Sequence, residues 1–364
     1  MRILIAGAGI GGLALAHALR QGGLDVAVYE RDPAPHSRQQ GYRLHIDQNG
    51  NAALRACLPP SILDLVRDTS GALGDRVAFY TQDLVEMSAQ VFPDLPASEI
   101  TNVDRDTFRR GLLTGLDVTF GRAVSGYELT AAGRVRVSFE GGGFDEGDLL
   151  VGADGVGSAV RRRLVPDATL RDLGLTCLYG RMPLDGATLP ADFDRGFCWV
   201  AGANGYGAGF APVQFRTPTG TPDYLMTTLV APTSRLAPLP TESSELRQIC
   251  LNAPTAWHPA VHQLFAAADP TSFFPITIRA GARVTPWPTV PVTVLGDAIH
   301  TMPPAGGVGA NTALQDAATL AAELLSEKPL LAAVSAYEQT MLPRGFNTVD
   351  SSVRMLGHLA PAPS

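Results

Sequence analysis

The chain has 364 residues, 45% hydrophobic and 17% charged, with a net charge of −7. Domains run to about 100–200 residues, so two folded lobes are expected rather than one small core or a disordered chain. An acidic balance without a basic block argues against a nucleic-acid partner, and no run of about 18 apolar residues predicts a membrane span.

Cys57, Cys177, Cys198 and Cys250 stand singly, without a CxxC pair or a histidine spacing suited to zinc. They read as free thiols in a reducing cytoplasm, and no metal site is expected. The apolar start over residues 3–6 is too short for a signal peptide and runs straight into a glycine motif.

That motif is Gly7-Ala8-Gly9-Ile10-Gly11-Gly12, followed by helical spacing over 13–21 and a stop at Gly22-Gly23. Residues 26–29 predict the next strand, ending at Glu30, which makes a βαβ start. Gly7 permits the tight turn, Gly9 lets the backbone approach a pyrophosphate, and Gly12 lets helix and strand pack closely. The helix N-terminus at Ile10 and Gly11 turns free N–H groups and a positive dipole end toward the phosphates. Glu30, 18 residues after Gly12, is placed to accept hydrogen bonds from a ribose diol. The pattern indicates a dinucleotide without saying which.

Further along, residues 134–139, a glycine turn at 141–143 and residues 144–151 predict a hairpin whose second strand ends at Asp154. Between about 171 and 275 the texture becomes β-rich, with strands at 196–201, 207–215 and 224–230. Short helices follow near 242–251 and 257–268. Residues 291–295 predict a buried strand ending at Gly296-Asp297. From 312 onward the chain is helical, with a kink or break at Pro343, and residues 360–364 fray. The nucleotide signals thus bracket a β-rich insertion. This places a discontinuous cofactor domain at 1–72, 98–170 and 276–330, a β-rich substrate domain at 73–97 and 171–275, and a C-terminal helical segment at 331–364.

Two more sites lie at strand ends. In Gly152-Ala153-Asp154-Gly155, followed by Ser158 and Arg161, a polar cluster ends an apolar strand. Alone it reads equally as an Asx turn. In Gly296-Asp297-Ala298-Ile299-His300-Thr301-Met302-Pro303-Pro304-Ala305-Gly306-Gly307-Val308-Gly309-Ala310-Asn311, a stiff Pro/Gly loop leads into a helix. Such a loop can hold a flat ring against backbone amides, with the helix N-terminus stabilising negative charge on it.

Taken together, in this order and spacing, the three motifs resemble the class A flavoprotein monooxygenases of the para-hydroxybenzoate hydroxylase type. The resemblance covers nearly the whole chain in its short form, without a C-terminal thioredoxin-like domain. It implies an α/β fold: a glutathione-reductase-like Rossmann FAD-binding domain with an inserted β-rich substrate domain and C-terminal helices. It also implies non-covalent FAD, held by residues 7–12, by Glu30 with Arg31 beside it, and by Arg43, Arg105, Asp154 and Asp297. Gly307 and the backbone of Gly309, Ala310 and Asn311 would bind the flavin pyrimidine edge, with Arg161 supporting Asp154. Arg38 reads equally as a surface charge or a pyrophosphate contact.

The implied reaction consumes NAD(P)H, with NADPH favoured, and O₂, which adds at the flavin C4a position before oxygen passes to an electron-rich ring. The partner is therefore a small aromatic or polyketide-like molecule. The catalytic candidates are Arg43, His45 and Pro304, none marked as a general base, while His300 reads as a structural hydrogen-bonding residue. Phe197, Trp199, Tyr206, Phe210, Phe215, Tyr224 and Met226 would cover the substrate side of the flavin; Phe197, Phe210, Tyr224 and Met226 are taken as the pocket. The halogenases of this fold need a Trp-x-Trp-x-Ile-Pro element and a lysine. Trp287-Pro288 does not match, and the one lysine, Lys328, lies late in the chain. The remaining alternative is a flavoprotein-fold cyclase or binding protein in which FAD is structural.

Overall fold

The computed structural model describes residues 1–35, 42–92, 95–202, 205–253 and 256–359, so Arg38 and residues 360–364 lie outside the described residues. The strand Arg2–Ala6 buries four of its five residues, as a central strand covered on both faces must. It pairs in parallel with Asp25–Tyr29 on one side and Leu149–Gly152 on the other. Val292–Val294 and Val118–Thr119 close the edges of this five-stranded parallel sheet. The helix Ile10–Gln21 lies between the sheet and the helix Gly309–Leu324, burying ten consecutive residues from Ile10 to Leu19.

The expected second hairpin strand divides in two. Phe144–Gly147 folds back on Val135–Phe139, whereas Leu149–Gly152 enters the parallel sheet. The change of sheet occurs where Asp148 accepts the Arg2 N–H at 2.7 Å and Gly147 packs against Leu4, leaving no room for a Cβ (2.7 Å to Leu4 Cγ).

The second lobe is a seven-stranded sheet ordered Phe274–Gly281, Leu170–Pro183, Tyr224–Pro232, Gly207–Val213, Gly196–Ala201, Arg76–Thr81, Glu86–Val91. Leu170–Pro183 and Phe274–Gly281 are single strands that run across the domain limits expected at 170/171 and 275/276. Alternation along the strands sorts their side chains onto two faces. Phe197, Trp199, Ala211, Val213, Tyr224 and Met226 face the nucleotide domain. Cys198, Val200, Ala208, Phe210, Leu225 and Leu229 pack in the core beneath the helices Ser243–Asn252 and Pro259–Ala267.

The C-terminal helix Leu330–Leu359 runs through Pro343 without a break, where a kink or break was expected. Pro343 and Gln339, whose carbonyl loses its N–H partner, are both exposed, so water can satisfy that group. Tyr337, Met341, Phe346 and Val349 anchor the inner face on either side of the proline. Among the described residues no helix is long and apolar enough to cross a membrane.

Candidate active site

The first glycine loop is a steric solution. Gly7 has φ +107°, and a Cβ there would sit 2.3 Å from the Ala153 carbonyl oxygen, so the loop can close over the second motif only with glycine. A Cβ at Gly12 would lie 2.2 Å from Gly7 O. Gly9 differs, since a side chain there would meet nothing within 4 Å. It caps the helix Ile10–Gln21 without any side-chain cap, leaving the first N–H groups of the helix facing open space.

Glu30 is buried beside this loop. Its carboxylate accepts the Ala8 N–H at 2.9 Å and the Asp32 N–H at 3.0 Å, and Arg109 approaches to 3.4 Å. Arg109 also donates to Ala8 O (2.9 Å) and Pro35 O (2.6 Å), tying the loop to its own helix, Arg105–Leu113. Sequence reasoning missed Arg109, although it lies one turn after Arg105 on the same helical face.

The other two motifs are joined to each other. Asp154 accepts Ala159 N–H at 2.8 Å, and its Oδ1 is buried without a protein partner. Arg161 donates to Val156 O (3.0 Å) and to Ala298 O (2.8 Å) in the Gly-Asp segment, which pins the two loops together. Below that segment lies a network built on two fully buried residues, His300 and Asp316, and the half-buried Arg344. His300 Nε2 is 2.5 Å from Asp316 Oδ2, which also accepts the Gly296 N–H, while Arg344 donates to Asp316 Oδ1 at 2.9 Å. Burial alone would raise the Asp316 carboxyl; His300, Arg344 and the Gly296 N–H hold it below its usual range. Burial opposes charge on His300, and Asp316 overcomes it, raising the imidazole. His300 is structural, and its partner Asp316 went unread in the sequence.

A cleft opens between these loops and the inner face of the seven-stranded sheet. Asp297 keeps an exposed side chain, yet surrounding protein desolvates its carboxyl and raises it, against the pull of His300 and Arg105. Arg105 is lowered by the same desolvation, partly offset by Asp297. Arg43, His45 and Tyr179 likewise retain surface while their charged forms are disfavoured by burial. All five keep accessible surface while the surrounding protein disfavours their charged forms. His45 Nδ1 is 2.9 Å from Thr101 O and so carries the proton, leaving Nε2 as an acceptor; burial and Arg43 keep the ring neutral.

The structure brings Arg43, His45, Arg105 and Asp297 to this cleft with Phe197, Tyr224 and Met226. Phe210 does not belong there: it packs on the opposite face between Phe193 and Phe265. Tyr206 packs against that same outer core, whereas Phe215 stays with the cleft-side cluster. Arg31 and Pro304 are exposed. The Asn311 side chain is consumed by His45 O, Gly307 O and the Asp47 N–H. Trp199 adds an indole Nε1 that is buried without a partner. A separate shallow groove, lined by Tyr127, Arg162, Arg163 and Trp287, shares no residue with the glycine loops.

Residues 80–351 match the family described as FAD binding domain, and residues 5–66 match an NAD(P)-binding Rossmann-like domain. This chain belongs to the class A flavoprotein monooxygenase family. A putative FAD-containing monooxygenase from Photorhabdus luminescens superimposes with a TM-score of 0.87 at 30% identity, covering 99% of this chain and 98% of that one. HpxO of Klebsiella pneumoniae, solved with FAD and uric acid, gives 0.84 at 26% identity, with 99% and 89% covered. The dual O-methyltransferase/FAD-dependent monooxygenase CTB3 of Cercospora beticola is 30% identical over 94% of this chain. The flavoprotein spans about half the length of such curated relatives, 44% of CTB3.

FAD is the cofactor, and the residues present fit it. The open Cα of Gly9 at an uncapped helix start suits a pyrophosphate, and the unpartnered Asp154 Oδ1 and accessible Asp297 carboxyl offer acceptors. Glu30→Ala is expected to weaken FAD by about 1.5–3 kcal/mol through loss of charge-assisted contacts. Titration of apoprotein with FAD measures this; unchanged affinity would remove the ribose role from Glu30.

Proposed function

We propose that this chain is an NAD(P)H-dependent FAD monooxygenase, with NADPH the favoured reductant, that oxygenates an aromatic or polyketide-like small molecule using O₂. The observation that carries the proposal is the packing of the glycine loops, through Ala305, against an inner sheet face rich in aromatic side chains. FAD, when bound, would supply the redox chemistry: two-electron exchange with NAD(P)H and activation of O₂ for oxygen transfer.

The chain supplies binding, orientation and dryness. The amides after Gly9 hold the pyrophosphate, Glu30 the adenosine ribose, and Arg105 and Asp297 the middle of the cofactor. The start of the 16-residue helix Gly309–Leu324 turns its positive dipole end toward the pyrimidine edge, favouring negative charge there. Phe197, Tyr224 and Met226 shield the reacting face from water, with Tyr224 fixed by donating to Asp104 at 2.9 Å. His45 holds an acceptor at Nε2. A purely structural FAD is the less favoured reading, because it leaves the unpartnered Arg43 and Trp199 nitrogens beside the cleft without a purpose.

The test is a screen of the purified yellow holoprotein for NADPH oxidation stimulated by phenols, indoles and polycyclic polyketides, with ¹⁸O₂ incorporation into product. Denaturation should release FAD and not FMN. Bound FAD without substrate-stimulated oxidation across the panel would overturn the proposal.

A further inference from the structure

The loop that leads into the helix Gly309–Leu324 meets the C-terminal helix on one side. Ala305, Gly306 and Val308 border a cavity of about 270 Å³ whose other wall is the helix stretch 347–355. Ala305 and Leu356 share one apolar cluster, so the end of the helix and the loop are packed together. Met355 also reaches the loop: a Cβ at Gly306 would lie 3.1 Å from its Sδ and 3.5 Å from its Cε. Met182, Met226 and Met341 are buried, whereas Met355 is 43% exposed among the described residues. An oxidant dissolved in water therefore reaches its thioether.

The cavity is polar for a methionine, which ordinarily fills apolar gaps. Its helix wall carries Asn347, Thr348, Ser351 and Ser352, and no charged side chain borders it. The Thr348 hydroxyl donates to Arg344 O at 2.9 Å, and Asn347 Oδ1 accepts from Arg283 at 3.0 Å. Ser352 differs: it is 2% exposed and its Oγ has no hydrogen-bond partner. It stands three residues before Met355, which makes the two side chains neighbours on one helical face. A buried hydroxyl without an acceptor is costly, and a thioether sulfur accepts only weakly. A sulfoxide oxygen accepts strongly.

We propose that Met355 is an oxidation site. Hydrogen peroxide converts it to the sulfoxide, whose oxygen accepts the Ser352 hydroxyl and draws the side chain off Gly306. In the reaction the sulfur attacks one peroxide oxygen, the S–O bond forms and the O–O bond breaks. The departing hydroxide takes the proton left on the transferred oxygen and becomes water, so sulfur loses two electrons and peroxide gains them. The loop loses its backing and holds FAD less tightly. Peroxide released by NADPH turnover that fails to oxygenate substrate would arise beside this loop; that source, though not the site, rests on the monooxygenase reading.

The test exposes the holoprotein to dilute hydrogen peroxide. Mass spectrometry follows the gain of one oxygen at Met355, and FAD affinity is then read by titrating the apoprotein. Met87 and Met1, 54% and 46% exposed, serve as references. Met355 should oxidise at least as fast as Met87, and FAD affinity should fall about 3–10-fold, the worth of one hydrogen bond. Met355→Leu should keep its affinity under peroxide, and Ser352→Ala should form the sulfoxide yet lose most of the effect. Methionine sulfoxide reductases acting on both epimers should restore the wild type. Oxidation of Met355 far slower than of Met87, unchanged FAD affinity once it is oxidised, an equal loss in Met355→Leu, or a full effect in Ser352→Ala would overturn the inference. If added peroxide acts as expected but no member of the substrate panel yields product or peroxide with NADPH, the activity reading fails and the oxidation site stands.

Discussion

Asp316→Ala is expected to cost about 3–5 kcal/mol of stability and to lower FAD occupancy with it, the largest single effect outside the glycine loops. The carboxylate is fully buried and holds three groups at once: the His300 imidazole, the Arg344 guanidinium and the Gly296 N–H. Removing it leaves the fully buried His300 imidazole and the half-buried Arg344 guanidinium without their shared acceptor, at the base of the segment that carries Asp297. Asp316→Asn keeps the volume and one acceptor, so it should fall between alanine and wild type. Urea melts of the apoprotein separate the stability loss from the cofactor loss. An alanine variant with wild-type midpoint and full FAD would show that the network beneath the loop is dispensable.

Gly309→Val tests the other side of that loop. A Cβ at Gly309 would lie 3.7 Å from Met302 Cγ, an ordinary contact, and the residue has no left-handed backbone. The protein itself therefore leaves room for a side chain here, unlike at Gly7 and Gly12. If the flavin pyrimidine rests on this backbone, valine displaces it, at about 1–3 kcal/mol for an overpacked contact, or roughly 5–150-fold in FAD affinity. Where FAD is retained, product formed per NADPH should fall and hydrogen peroxide should rise. Circular dichroism checks that the fold is unchanged. Retention of FAD, reduction rate and coupling would mean that the loop merely connects strand to helix.

Gly7 and Gly12 were legible in the sequence because sterics leave no other residue a solution there: the Ala153 carbonyl stands where a Gly7 side chain would begin, and Gly7 O where a Gly12 side chain would. Glu30 was legible for its position at a strand end, but not for its second task of accepting the Ala8 and Asp32 amides. The inner face of the second sheet was not legible. All seven residues of Gly207–Val213 are buried, so no polar alternation marks which side faces the cleft, and Phe210 reads like its neighbours. Asp316 did leave a trace, a lone acid amid Leu314, Ala317 and Leu320, but a solvent-facing acid on an amphipathic helix would look the same.

The order of strands in the parallel sheet has a consequence for how the protein is made. Leu149–Gly152 and Val292–Val294 lie on one flank of Arg2–Ala6, so the sheet that carries Gly7 is completed by chain synthesised long after it. At roughly 5–20 residues per second, the ribosome takes on the order of 15–55 s to travel from Glu30 to Gly309. Until Leu149–Gly152 is made the nascent sheet has an open apolar edge at Arg2–Ala6, and from then until Val292–Val294 is made the open edge is Leu149–Gly152, while the cofactor has only half of its seat. FAD capture is thus a late event in biogenesis, and before Val292–Val294 docks the nascent sheet offers an unpaired edge to chaperones as well as to solvent.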